Sequence, residues 1–248
     1  MLFSYSKINT YEGCKFKYYS FYILKKNKEK RKGNIHTWLG NAVHEVLENG
    51  YYETNGKHKL LSKDYLLYIL EKNKFYDKLN TEYKELAKNI IINYQKKHKT
   101  QRLEGLITEK TAKLPLASYA TLMGNIDKIY TVKDTVYVID YKTSKDTKYI
   151  KQPKENLQLK IYDLIAKSLY PDKEIKVMLD FIRIDQQMTY SFTEKEREEN
   201  REEIINKIDE IINFEIQVKK NLTLPTKTET FLCNYCPLCK GETNLTGI

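Results

Sequence analysis

A mixed α/β (α+β) fold, in which helices flank a central sheet, is predicted by two features of the sequence. Apolar residues recur at three- and four-residue steps before residue 100 and again after 155, as one buried helix face requires. Between these stretches, three segments with the two-residue alternation of strands follow one another closely. The nine glycines and five prolines are scattered among 248 residues, without a linker or an internal repeat. One core with a helical annex is the expected organisation.

In chain order, Leu39, Ala42, Val43, Val46 and Leu47 make an apolar stripe, so Thr37 to Asn49 is an amphipathic helix. Ser62 to Lys99, rich in Tyr, Leu, Ile and Lys, predicts two or three further helices. The rhythm then changes. Leu106 to Lys113, Ala120 to Thr131 and Thr135 to Thr143 are expected strands, the last two joined by a turn at Lys133-Asp134, which gives a β-meander. Asn156 to Ser168 returns to helix, and Ile175 to Ile184 is a β-branched strand. Glu194 to Lys219 is a long charged helix with Ile204, Ile205, Ile208, Ile211 and Ile212 on one face. The expected division is a helical part over 1–103, a sheet core over 104–190, and 191–248 with the long helix and three cysteines, all within one domain.

Lys and Arg number 43 against 33 Asp and Glu, a formal charge of +10 that favours polyanionic partners, nucleic acid first. A Lys-, Asn-, Ile- and Tyr-rich codon bias would explain the charge as well. No apolar run has the length of a membrane span, and Met1 to Thr10 lacks the order of a secretory signal, so a cytoplasmic location is expected. In such a reducing compartment Cys14, Cys233, Cys236 and Cys239 favour metal ligation over disulfides.

The chemistry concentrates in the meander. Along Val136 to Lys142 side chains alternate, so Asp140 and Lys142 project together while Ile139 and Tyr141 point the other way. Asp127, in Gly124-Asn125-Ile126-Asp127, offers a second carboxylate on the adjoining strand. Two neighbouring acids repel unless a cation joins them, and a hard divalent ion such as magnesium takes oxygen ligands of this kind. An ordinary surface hairpin carrying an Asp-Lys pair is the plainer reading of these three residues alone.

Gly124-x-x-Asp127 followed by Ile139-Asp140-Tyr141-Lys142-Thr143 resembles the PD-(D/E)XK nucleases, in the RecB-type exonuclease branch that includes the iron-sulfur CRISPR adaptation nucleases and the AddB subunit. The resemblance implies a restriction-endonuclease-like core, with Mg2+ or Mn2+ held by Asp127 and Asp140 and a water served by Lys142. Gly40 to Glu48 is similar to the family's Gly-x-x-x-His helix, whose histidine, here His44, contributes to the metal site. A glycine at position 40 would let another backbone approach beside His44. Gln158-x-x-x-Tyr162 matches a further motif, in which Gln158 would bond the scissile phosphate or orient Lys142, and Tyr162 would stack on a base or bond a phosphate. Glu109 is similar to an acidic position of many relatives, and Tyr141 lies between the metal acid and the lysine. The implied metal set is His44, Asp127, Asp140, Tyr141 and Glu109. His36, His58 and His98 lack such context and are expected to face solvent or to pack.

The cysteines extend the resemblance. Cys14, in an opening similar to the branch's N-terminal signature, and Cys233, Cys236 and Cys239 near the other end correspond to the ligands of a structural 4Fe-4S cluster. The two-residue gap between Cys236 and Cys239 is shorter than the family's usual spacing, and Zn2+ on four thiolates is the competing occupant. The implied activity is that of a DNA exonuclease acting on single-stranded or end-bearing DNA in recombination, repair or replication, with a helicase or recombination protein as partner. A catalytically idle DNA-binding or scaffolding subunit is the alternative, and a site-specific endonuclease is a third possibility.

Overall fold

The computed structural model describes residues 1–25, 33–148 and 150–222, together with 225, 227 and 233. The chain opens with strand β1 (Leu2–Ser4), helices α1 (Tyr5–Gly13) and α2 (Lys15–Tyr18), and a π-helical turn. Helix α3 (Ile35–Glu48) follows, then a hairpin of β2 (Tyr51–Thr54) and β3 (Lys57–Leu60), and helices α4 (Lys63–Glu71) and α5 (Thr81–His98). The meander is β4 (Glu104–Ala117), β5 (Ala120–Val132) and β6 (Thr135–Tyr141). Helix α6 (Leu157–Leu169), β7 (Glu174–Phe181), β8 (Gln186–Tyr190) and α7 (Glu194–Lys219) complete the described elements.

These elements form a six-stranded mixed sheet flanked by helices. Antiparallel β4 runs along the whole of β5, while the opposite edge of β5 is shared by two strands. Antiparallel β6 covers Lys128 to Val132, and parallel β1 covers Thr121 to Met123. Their C-terminal ends therefore converge on Gly124 to Asp127, where neither strand continues the ladder. Parallel β7 joins β6 by way of α6, and antiparallel β8 pairs with β7.

Helix starts follow capping chemistry. Asn34, Ser62, Asn80, Asn156 and Thr193 each accept a backbone N–H at the head of their helix, and Thr193 with Glu196 forms a full capping box. One apolar face of the sheet packs with α1, α6 and α7 around Leu122, Ile129, Val138, Leu159, Ile165 and Ile208. The other face packs under α3, α4 and α5, with Leu39, Val46, Leu66, Ile91, Ile139 and Tyr141.

To the helical part expected over 1–103 the structure adds β1 and the β2–β3 hairpin. Three residues of β1 and four in each hairpin strand are too short for alternation to reveal, and Asn55 and Gly56 supply the left-handed backbone of the turn. The segment Ile175–Ile184 is also shorter than expected as a strand. β7 stops at Phe181, and Asp185, at φ 53°, turns the chain back into β8.

Candidate active site

Asp127 lies where β6 parts from β5, and its Oδ2 accepts the Tyr141 N–H at 2.7 Å in place of a main-chain carbonyl. That bond fixes the first acid against the strand carrying the second. The pairing of Lys128 with Ile139 sets Asp127 beside Asp140, as the alternation predicts. On the other side of Asp127, His44 Nδ1 of α3 stands 3.4 Å from Oδ1. Glu109 of β4 completes a cluster in which one ligand atom each from His44, Glu109 and Asp127 lies within 4.8 Å of the others. Glu109 holds a left-handed backbone, φ 48°, in the middle of a strand, an unfavourable conformation for a residue with a Cβ.

Asp140 is buried and tied to a second group of residues. Its Oδ1 accepts the Gln158 amide at 2.6 Å, and Lys142 Nζ donates to Gln158 Oε1 at 3.0 Å. Its Oδ2 is paired with the Lys142 ammonium at 2.5 Å. Gln158 Nε2 also donates to the Tyr162 hydroxyl at 3.0 Å, and that hydroxyl donates to the Asn125 carbonyl. The break in the ladder at Asn125 is thus closed by a side chain of α6. A Cβ on Gly124 would stand 2.9 Å from Ile165 Cδ1 and 3.1 Å from Tyr162 Cε1, so the glycine is what lets α6 approach here.

The electrostatics are those of acids crowded together. Burial pushes the Asp140 carboxyl up to about 6; Lys142 opposes the rise, and Asp127 adds to it. Burial also raises Glu109, with Asp127 and Glu48 contributing. For His44, burial disfavours the imidazolium, but the hydrogen bond and charge of Asp127 outweigh it and hold the group above its usual range. The donor set of His44, Glu109 and Asp127, two carboxylates and an imidazole, fits a divalent cation, with the Asp140 carboxylate close enough to act on His44.

The structure gathers Asp127, Asp140, Lys142, Gln158, Tyr162, His44 and Glu109 at one strand end. Tyr141 contributes its main-chain N–H there; its ring lies edge to face with His44, 5.9 Å between centroids, and its hydroxyl meets Tyr94 at 2.7 Å in the other layer. Among the described residues no backbone stands against Gly40: a Cβ there would meet Thr143 Oγ1 at 3.5 Å, an ordinary contact. Of the three other histidines, His36 meets the Tyr83 hydroxyl at 3.2 Å and His98 is buried against Tyr94.

Tyr5 and Lys128 are absent from the motifs. Tyr5, set down by the pairing of β1, is partly buried within reach of the Lys142 and Asp140 charges. Lys128, 2% exposed, donates from Nζ to Tyr51 at 2.8 Å and to Tyr94 at 3.2 Å on the reverse face. The signal available in the sequence was its place next to Asp127, since a residue one step from a site-facing acid must point into the other layer.

Cys14 caps α2, its Sγ accepting the Lys17 N–H at 3.4 Å. Cys233 is partly buried, whereas Cys236 and Cys239 lie outside the described residues. Lys227 Nζ sits 5.2 Å from the centre of the Phe16 ring.

Residues 2–239 match the family model described as the PD-(D/E)XK nuclease superfamily. No curated protein matches the chain. Among solved structures, a candidate exonuclease from Eubacterium rectale superposes with a TM-score of 0.55 at 13% identity, over 95% of this chain and 86% of its own. At that identity the likeness speaks for the fold.

Proposed function

This chain belongs to the PD-(D/E)XK nuclease superfamily, and we propose that it is a Mg2+- or Mn2+-dependent deoxyribonuclease, an exonuclease hydrolysing phosphodiester bonds of single-stranded or end-bearing DNA. The observation that carries this reading is the meeting of the His44, Glu109 and Asp127 ligand atoms beside the Asp140–Lys142–Gln158 triad. Recombination, repair or replication is the setting that suits such an activity, with a helicase or recombination protein as partner. Among the described residues no helix is long and apolar enough to cross a membrane.

Asp127, Glu109, His44 and Asp140 would hold the cation. When bound it neutralises the phosphodiester and lowers the pKa of a water. Lys142 is placed to orient the attacking water or to stabilise charge growing on phosphorus, since its ammonium already lies against Asp140. Gln158 acts through both neighbours, accepting from the lysine and donating to the acid. Tyr162 and Gly124 set the distance between α6 and β5.

Cys14, Cys233, Cys236 and Cys239 are proposed to hold a structural 4Fe-4S cluster, with Zn2+ as the competing occupant. Cys14 at a helix N-terminus, its sulfur already accepting a main-chain N–H, suits a thiolate ligand, and the contact of Lys227 with Phe16 favours closure of the chain ends.

The decisive test digests DNA labelled at either end, with Mg2+, Mn2+ or EDTA, by the wild type and the Asp140→Ala and Lys142→Ala variants. Metal-dependent cutting that both substitutions reduce by about a hundredfold or more is expected. Equal DNA binding with no cutting by any of the three would establish the idle-subunit alternative instead.

A further inference from the structure

Behind the catalytic strands, on the face opposite the acid cluster, three ionisable side chains are buried around one pocket. Lys128, His98 and Asp180, at 2%, 8% and 4% exposure, line a cavity of about 290 Å3. It shares His98 and Asp180 with a neighbouring cavity of about 440 Å3 beside α5 and the turn into β8. None of the three forms an ion pair among the described residues. Lys128 spends two of its three N–H donors on Tyr51 and Tyr94. His98 Nδ1 is buried without a hydrogen-bond partner. The amides of Gln101 and Gln187 stand in the same wall.

Lys128 keeps donor capacity beyond its two tyrosine bonds, and His98 Nδ1 is buried without a partner, so both gain from an acceptor in this cavity. A tetrahedral oxyanion supplies several acceptor atoms at once and suits a site lined by Lys128, His98 and two amides. Asp180 limits which oxyanion fits. Its carboxylate repels a fully deprotonated one, but accepts a hydrogen bond from a P–OH. Hydrogenphosphate keeps such a proton at neutral pH, whereas sulfate and a phosphodiester have none.

We propose that this pocket is a phosphate site separate from the acid cluster, taking a phosphate that bears an acidic proton, with Lys128 and His98 as donors and Asp180 as acceptor. The ligand has two sources, free inorganic phosphate or the terminal phosphate monoester of a nucleic acid, the latter taken up as its singly protonated form, whose proton leaves with a pKa of about 6. The assignment stands on the pocket alone and survives failure of the nuclease reading.

The test is calorimetric titration of the full chain with inorganic phosphate in EDTA at pH 7, with sulfate as the matched control. Saturable phosphate binding is expected, with sulfate about tenfold weaker or more. Lys128→Met should weaken phosphate about tenfold, and Asp180→Asn should bring sulfate to within about threefold of phosphate. Because position 128 is buried, Gln101→Leu at the pocket wall is a second probe and should also weaken phosphate. Asp127→Asn should leave phosphate binding unchanged. Competition by a 5′-phosphorylated oligonucleotide, but not by its 5′-hydroxyl form, would assign the site to a nucleic-acid end; competition by neither would assign it to free phosphate. Absence of saturable phosphate binding, equal affinity for sulfate in the wild type, or a loss of binding in Asp127→Asn that Lys128→Met does not share would overturn the proposal.

Discussion

Replacing Gln158 with Leu would remove three polar contacts at the centre of the site with little change in volume. The amide donates to Asp140 at 2.6 Å and to Tyr162 at 3.0 Å, and its oxygen accepts from Lys142 at 3.0 Å. Two of these bonds involve an ionised partner, and such bonds contribute about 1.5–3 kcal/mol each. Lys142 retains its ion contact with Asp140 in the variant, so part of that sum is conserved. A net loss of about 2–3 kcal/mol in transition-state stabilisation corresponds to roughly a hundredfold fall in kcat. The KM for DNA should stay near the wild-type value, because the amide acts on protein groups and not on the phosphate. Steady-state cleavage of an end-labelled oligonucleotide, with melting followed in EDTA as a check on folding, separates the two parameters. An unchanged kcat with a raised KM would refute this reasoning and assign Gln158 to the substrate phosphate.

Gly124→Ala forces a Cβ to 2.9 Å from Ile165 and 3.1 Å from a Tyr162 ring held at its hydroxyl by Asn125 and Gln158; a loss of about 1–3 kcal/mol is expected by chemical denaturation, together with reduced cleavage. His98 is held down to about 4 by burial and then by Lys128. The unfolded chain therefore takes up this proton first as pH falls below about 6.5, and stability should drop between about 6.5 and 4. His98→Phe should flatten that dependence in EDTA, and an unaltered slope would show that His98 is not its source. If the four cysteines hold the proposed 4Fe-4S cluster, Cys14→Ala should lose its visible absorption and lower the melting temperature, while full retention of colour and melting temperature would count against the proposed ligand set.

What the sequence made legible depended on how many residues repeat a pattern. The alternation from Val136 to Lys142 was enough to put Asp140 and Lys142 on one face and Ile139 and Tyr141 on the other, where the structure has them. The stripe from Leu39 to Leu47 likewise marked the buried face of α3. By contrast, β1 has three residues and no period of its own, yet its pairing with β5 is what sets Tyr5 near the site. The left-handed backbone of Glu109 carried no glycine or asparagine to betray it. Lys128 bonds Tyr51 of β2 and Tyr94 of α5, Tyr94 in turn bonds Tyr141 of β6, and no spacing within one element joins residues 51, 94 and 141.

The placement of Lys128 also bears on why the acids stay where they are. Asp127 and Lys128 are chain neighbours on opposite faces of β5, and Asp140 and Tyr141 are the corresponding neighbours on β6. A slip of β5 by one residue would drive Asp127 into the tyrosine layer and Lys128 out of it, and the same slip of β6 would exchange Asp140 with Tyr141. The hydroxyl chain from Tyr51 through Tyr94 to Tyr141, with Lys128 bonded to its first two members, opposes that slip from the side that carries no acid cluster. Register and chemistry are therefore held by the same pairs of adjacent residues. A substitution that leaves every acid in place but cuts this chain, Tyr94→Phe for one, should broaden the geometry of the acids before it unfolds the sheet.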